Sequence, residues 1–322
     1  MSKTPRFPPS PRNVVFVIFP GFQILDAAGP IAAFEVASRF ARGAYRVRVA
    51  AAAQGLIASS AQGVAMPAEA LGRQRAIDTL IVVGGYGTRE ALHDLKLLGA
   101  LRRASARARR TASVCSGAFI LAAAGLLAGK RATTHWRRAG ELARLFPNVR
   151  VDADCIHIQD GDVWTSAGVT AGIDLALAMI AADLGDKVAE DAAREMVVYA
   201  KRPGGQAQHS ALLELDAPRF NALNAWMRAN LRGDLSVEQL AARAAMSPRT
   251  FARAYATETG VTPAKAVEQL RVDAARAMLQ RGGSLQEIAA KTGFHDPERM
   301  RRAFLRIHGA PPAALRRTLR RA

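Results

Sequence analysis

The stretch "SVCSGAFILAAAGLLAGKRATTHW", Ser113–Trp136, holds one of the two cysteines in a chain of 322 residues. A short β-prone run reaches Cys115 and turns at once into a long apolar helical run. Strand, sharp turn and helix in that order place Cys115 where a nucleophile elbow would hold it. Gly117 permits close backbone approach, and a helix N-terminus favours the thiolate. "VVGGYG", Val82–Gly87, offers backbone N–H donors of the oxyanion-hole type, with Gly85 at its centre. Asp26, in "ILDAAGP", falls beside the thiol if the first and central strands are neighbours, and His135 is available as base or partner. Composition and spacing alone leave a structural cysteine as open as a functional one.

Around this stretch, residues 14–200 alternate strand-like and helix-like runs. "NVVFVIFP", "YRVRVAAA", "AIDTLIVVGG" and "TASVC" read as buried strands, and "CIHIQDGDVWTSA" as a hairpin turning at Asp160-Gly161. "DAAGPIAAFEVASRF", with Pro30 in its first turn, "REALHDLKLLGALRRASARAR", "AGIDLALAMIAADLG" and "DKVAEDAAREMVVYA" read as helices. Such alternation predicts an α/β sandwich with a largely parallel sheet, flavodoxin-like in type, covered by helices on both faces. The basic, proline-rich residues 1–12 read as a disordered tail. Residues 201–218, with Pro203, Gly204, Gly205 and Pro218, read as a linker.

Residues 219–322 read as all helical, and they repeat. "LSVEQLAARAAMSPRTFARAYATETGVTP" and "GSLQEIAAKTGFHDPERMRRAFLRIHGAPP" each give a short helix, a tight turn, a proline near the next N-terminus, and a closing Gly and Pro. Ser236 with Gln239 predicts a capping box; Ser247, Pro248 and Gly260 predict the ends of the following helix. These are two helix-turn-helix units. In the second helix of each, Phe251, Ala254 and Tyr255, then Met300, Ala303, Phe304 and Ile307, form the core stripe. The opposite faces carry Arg249, Thr250, Ala252 and Arg253, then Glu298, Arg299, Arg301, Arg302 and Arg306. A helix of this kind fits the major groove of double-stranded DNA, where arginine pairs with guanine. The helix 263–280 between the units spans roughly 27 Å, near the ~34 Å repeat of the duplex.

The charge supports that partner. Lys and Arg outnumber Asp and Glu by 45 to 27, a net +18. Residues 219–322 hold 19 basic and 8 acidic residues, leaving 26 and 19 for the first 218, so basic excess per residue is about three times higher in the last third. Two cysteines make no disulfide framework, which fits a reducing cytoplasm, and a DNA partner implies a place on the nucleoid. No apolar run approaches the ~20 residues of a membrane span. Cys155 reads as packing, His157 and His209 lack ligand spacing, and "GGYG" lacks the spacing and Lys of a phosphate loop, so neither metal nor cofactor is expected.

Three resemblances sharpen this. Residues 219–320 resemble the AraC-type DNA-binding domain through "MSPRTFARAYATETGVTP", "RVDAARAMLQ" and "IAAKTGFHDPERMRRAFLRIHGAPP". The resemblance implies base contacts from Arg249, Ala252 and Arg253 and from Glu298, Arg301 and Arg302; a longer polar side chain is usual at Ala252. Residues 13–200 resemble the PfpI/ThiJ group of the class I glutamine-amidotransferase-like superfamily through "FPGFQILDAAGP", "VVGGYG", the Cys115 stretch and "WTSAGVTAGIDLALAMIAADLG". In its isonitrile hydratase branch an Asp and a Cys carry the chemistry, here Asp26 and Cys115, with a hydroxyl residue next, here Ser116 in place of Thr. The two joined in this order, with "YAKRPGGQAQHS" between, resemble the GlxA-like subgroup of AraC-family regulators. That resemblance implies a first domain that senses a small-molecule effector near Asp26, Gly85, Cys115, Ser116 and His135 and forms a homodimer. The alternative is a cysteine-dependent hydratase or amidase carrying a DNA-binding domain.

Overall fold

The computed structural model describes residues 10–153, 155–198, 204, 208, 217–281, 283–308 and 311–314. Most of the expected tail and linker lie outside them. The chain divides into two compact units, residues 1–208 and 209–322.

The first unit carries β1 (Arg12–Val17), α1 (Ile24–Phe40), β2 (Tyr45–Ala51), β3 (Gly55–Ala58), β4 (Ala65–Ala70), β5 (Thr79–Val82), α2 (Thr88–Ala91), α3 (Leu95–Ser105), β6 (Arg110–Val114) and α4 (Gly117–Ala123). It continues with β7 (Arg131–Ala132), α5 (Trp136–Leu145), β8 (Arg150–Val151), β9 (His157–Asp160), β10 (Val163–Ser166), α6 (Ala171–Leu184) and α7 (Asp186–Glu195). The large sheet runs β3-β4-β2-β1-β5-β6-β10-β9. From β4 to β10 every pairing is parallel, and β3 and β9 close the edges antiparallel. Val14–Val17 and Leu80–Val82 are buried on both faces, which is why those strands read as unbroken apolar runs rather than alternating ones; Ala112–Val114 is equally buried although Ser113 interrupts it. The hairpin turns at Gly161, whose φ is 66°.

Several local expectations are corrected. The first strand begins at Arg12, inside the stretch expected as tail, because the Arg12 N–H donates to the Ala44 carbonyl at 2.8 Å and β1 pairs with β2 from there on. The helix expected across Arg89–Arg109 is two helices: the Asp94 carboxylate accepts the N–H groups of Lys96 and Leu97 at 2.9 and 3.0 Å and starts α3 afresh. Pro30 lies well inside α1 rather than in its first turn, since Gln23 caps the helix seven residues earlier. Its ring packs beside Gly172 of α6, where a side chain would press on it. The β3–β4 hairpin, α5 and the small β7–β8 pair went unread; "AMPAEA" and "GLIA" carry few β-branched or aromatic residues.

The second unit carries α8 (Asn221–Ala229), α9 (Val237–Arg243), α10 (Pro248–Thr259), α11 (Pro263–Arg281), α12 (Leu285–Lys291) and α13 (Pro297–His308). Two separate cores hang on α11. Ala266, Val267 and Leu270 join Phe251, Tyr255 and Phe220 in one; Val272, Ala275 and Leu279 join Met300, Ala303 and Phe304 in the other. Each buried Leu or Phe there contributes about 1.5–3 kcal/mol. The capping box falls elsewhere than expected. Ser236 makes no side-chain cap, and its own N–H donates to Asp234 at 2.9 Å. Ser284 and Glu287 form the reciprocal pair at the start of α12 instead.

Candidate functional site

The strand order changes direction between β1 and β5, and open α/β sheets offer their ligand crevice outside the carboxyl ends of the strands at such a point. The segments that follow β1, β5, β6 and β10 converge there. Phe22 bridges to Gly85, the Gln23 N–H donates to the Gly84 carbonyl at 2.8 Å, and the Cys115 N–H donates to the Ser166 carbonyl at 2.9 Å.

Cys115 sits at the elbow with φ 55°, a left-handed conformation that costs a non-glycine residue about 1–3 kcal/mol. The turn closes only because its neighbours are glycines. A Cβ on Gly168 would overlap the Cβ of Cys115, and one on Gly84 would stand 2.6 Å from the Ser116 nitrogen. Val169 is also left-handed, with φ 51°, and its N–H donates to Asp26 Oδ1 at 2.7 Å. Asp26 is fully buried beside the thiol.

The electrostatics overturn one expectation. Burial raises the Asp26 carboxyl to about 6, against the opposing hold of the Val169 and Gly84 backbone and the thiol. Burial, and then the Asp26 charge, push the Cys115 thiol up to about 12, outweighing what the helix N-terminus offers a thiolate. At neutral pH the pair holds one proton, on sulfur.

Ser116 is buried and committed. Its Oγ accepts the Gly85 N–H at 3.0 Å and lies 2.8 Å from Thr88 Oγ1, which itself donates to the Gly85 carbonyl at 2.7 Å. The Gly85 N–H expected as an oxyanion donor is therefore occupied by Ser116. Asp26, Gly85, Cys115 and Ser116 come together as the sequence predicts. At the end of β7, Thr134 carries the link to the elbow, its hydroxyl donating to the Cys115 carbonyl at 2.8 Å, while His135 stacks on Trp136. Cys155 is buried, its carbonyl accepting the Thr133 hydroxyl at 3.0 Å.

Gln208 was not anticipated. Its amide donates to the carbonyls of Thr134, Ala153 and Cys155 at 2.8, 3.0 and 3.1 Å, and its Oε1 accepts the Trp136 N–H at 2.8 Å. Gly204 likewise accepts the Ile156 N–H at 2.9 Å. Both lie in the stretch read as linker and are bound to the first unit. Thr88, Thr134, Gly168 and Val169 were also missed; "SAGVT" ahead of an apolar helix was the one signal available.

In the second unit, Ala245 (φ 53°) and His295 (φ 62°) make the two equivalent turns, and Ser247 and Asp296 cap the helices that follow. The outer faces of α10 and α13 are solvent-facing. Arg249, Arg253, Arg299 and Arg302 are exposed and form no hydrogen bond or ion pair with any described residue. Arg301 is held by both oxygens of Glu298 at 2.7 Å, and Arg306 is paired with Glu268 of α11. Thr250 is used in the Ser247 cap, and Ala252 is half-buried. A groove of about 430 Å³ between α11 and α13 is lined by Arg271, Arg299, Arg302, Arg306 and Glu268. The two repeats are pinned together: Arg271 Nε donates to the Leu231 carbonyl at 3.1 Å, and a side chain at Gly293 would strike that same oxygen.

Comparison with known proteins agrees with this geometry. Residues 12–182 match the DJ-1/PfpI family and residues 240–318 a helix-turn-helix domain. The chain belongs to the DJ-1/PfpI family, in the branch that joins this fold to an AraC-type helix-turn-helix domain. It is similar to the HTH-type transcriptional regulator GlxA of Rhizobium meliloti, 29% identical over 321 residues, covering 95% of this chain and 96% of that protein. An isonitrile hydratase of Pseudomonas putida is 34% identical over 169 residues, 52% of this chain and 70% of the enzyme. A ThiJ/PfpI family protein from Pseudomonas syringae superposes with a TM-score of 0.54 at 30% identity, over 62% of this chain and 84% of that one. Among the described residues, no helix is long and apolar enough to cross a membrane.

Proposed function

We propose that this protein is a ligand-responsive transcriptional regulator acting in the cytoplasm, with residues 13–200 sensing a small molecule and forming a homodimer and residues 219–322 binding double-stranded DNA. The observation that carries the reading is the set of four unpaired arginines, Arg249 and Arg253 on α10 and Arg299 and Arg302 on α13. Each pair sits on the exposed face of a helix whose opposite face is core. Guanidinium groups without internal partners lose no ion pair when they meet phosphates or guanine edges. Glu298 holds Arg301 in a fixed orientation, so that couple supports base selection more than general attraction.

The sensing site is built around Asp26, Gly85, Cys115, Ser116 and His135. A ligand that displaces the thiol from Asp26, or the Gly85 N–H from Ser116, alters the elbow. Thr134 connects the Cys115 carbonyl to Gln208, next to the start of the second unit, and supports a route for that change. The ligand acts only through a difference in its affinity for DNA-competent and DNA-incompetent states.

A second reading, cysteine-dependent hydration or amide hydrolysis by Asp26, Cys115, Ser116 and His135, is favoured by the intact thiol–carboxylate pair. The protonated thiol and the occupied Gly85 N–H weigh against it. Affinity for a selected duplex, measured across a panel of small metabolites with wild type and Cys115→Ala, separates the two. A regulator shows a metabolite that shifts DNA affinity in the wild type without being consumed, and the shift is lost in the variant. Turnover of a nitrile, isonitrile or amide that Cys115→Ala abolishes, with DNA binding indifferent to all metabolites, supports the enzyme.

A further inference from the structure

We propose a second ligand site on the first unit, for the anionic group of a small phosphate- or carboxylate-bearing molecule, in an arginine-lined groove at the amino-terminal ends of β1, β5 and β6. This is the end of the sheet opposite Cys115. The groove is a shallow one open to solvent, with a volume of about 630 Å³, lined among others by Arg12, Asn13, Arg75, Asp78, Arg107 and Arg109.

The charges around it do not cancel. Asp78 accepts from Arg109 Nε and Nη2 at 2.9 and 2.8 Å and from the Thr79 hydroxyl at 2.8 Å. Asp183, behind the groove, accepts from Arg110 Nη2 at 2.5 Å, Arg109 Nη2 at 2.9 Å and the Tyr45 hydroxyl at 3.0 Å. Both carboxylates are thus committed to Arg109 and Arg110. Arg12 comes no closer than 3.9 and 4.0 Å to them through its Nε. Arg107 donates only to the Gln74 carbonyl, at 3.2 Å, and Arg75 is exposed with no partner among the described residues. Five guanidinium groups therefore face two carboxylates, an excess of three positive charges.

Two of the lining residues also carry buried polar atoms without a partner. Arg12 Nη1 and Asn13 Oδ1 are both buried with no hydrogen-bond partner. A buried donor and a buried acceptor left unmade each cost free energy, and the donor belongs to a cation. An anion in the groove brings compensating charge to Arg12, Arg75 and Arg107. Inorganic phosphate is the simplest anion of that kind. Residues 1–9 carry Lys3 and Arg6 and no acid. Arg12 is half-buried while Arg75 and Arg107 are exposed, a recessed cluster of few cations that favours a small anion over a duplex backbone.

Calorimetric titration of the full chain with inorganic phosphate, at constant ionic strength, tests this. Arg75→Ala with Arg107→Ala removes two exposed groups without touching the Asp78–Arg109–Asp183 network. The expected result is saturable binding to wild type, weakened at least about tenfold in the double variant. Arg137→Ala with Arg144→Ala, an equal loss of charge on α5, leaves phosphate affinity unchanged. The site is overturned if wild type takes up no phosphate at tens of millimolar. It is equally overturned if the α5 variant loses as much affinity as the groove variant, or if the groove variant weakens only duplex binding.

Discussion

Replacing Asp26 by Asn tests the buried thiol–carboxylate pair directly. The carboxyl is raised from an ordinary 3.8 to about 6 because its charged form is desolvated. A group that holds its proton more tightly folded than unfolded stabilises the protein least when ionised. Stability contributed by the wild-type residue is therefore greatest below pH 4, falls as pH rises from about 4 to about 6, and stays low above. A shift of about two pKa units corresponds to about 3 kcal/mol at pH 8. Asn keeps an oxygen for the Val169 N–H and carries no charge. The stability of Asp26→Asn relative to wild type should thus grow by about 2–3 kcal/mol between pH 4 and pH 8. Urea unfolding followed at buried Trp164, with Trp136 and Trp226 changed to Phe, reads the first unit alone. In the same variant the Cys115 thiol, relieved of the Asp26 charge, should fall below about 12 and alkylate faster with iodoacetamide. A stability difference that stays flat with pH, or that favours the wild type as pH rises, refutes the reasoning.

Gly168→Ala adds a Cβ where Cys115 already stands, at a φ of 94°, and should lower the stability of the first unit by about 3 kcal/mol or more in thermal or urea unfolding. Ser284→Ala removes the capping box of α12 and should cost about 1 kcal/mol, whereas Ser236→Ala, at a position with no side-chain cap, should stay within about 0.5 kcal/mol by helical circular dichroism.

The pattern of apolar runs was enough to read the central strands and the duplicated helical unit. β1 and β5 are buried on both faces and so spell continuous Val, Phe, Leu and Ile; α10 and α13 show a core stripe opposite arginines. The missed pieces lack that kind of signal. β3, at the sheet edge, and β4 beside it are alanine-, glycine- and proline-rich strands joined as a hairpin, and the break before α3 depends on a single capping side chain, Asp94. At the site, the residues near Cys115 in type and motif were legible, but the protonation of the thiol was not. It follows from how deeply Asp26 and Cys115 are packed together, which spacing along the chain does not reveal. Gln208 was hidden for a related reason: a polar residue in a Pro/Gly-rich stretch reads as solvent-exposed until the carbonyls of Thr134, Ala153 and Cys155 are seen to converge on it.

The central claim is that unpaired arginines on two linked helices read DNA. Selection of bound duplexes from a random pool by the full chain, followed by affinity measurements on the enriched sequence, tests it most directly. The account predicts a defined sequence with two half-sites about one helical turn apart. It also predicts that Arg253→Ala and Arg302→Ala each weaken binding about tenfold or more, while Arg306→Ala, whose side chain is already paired with Glu268, weakens it less. No enrichment of any sequence, with affinity indifferent to Arg253 and Arg302, would contradict it.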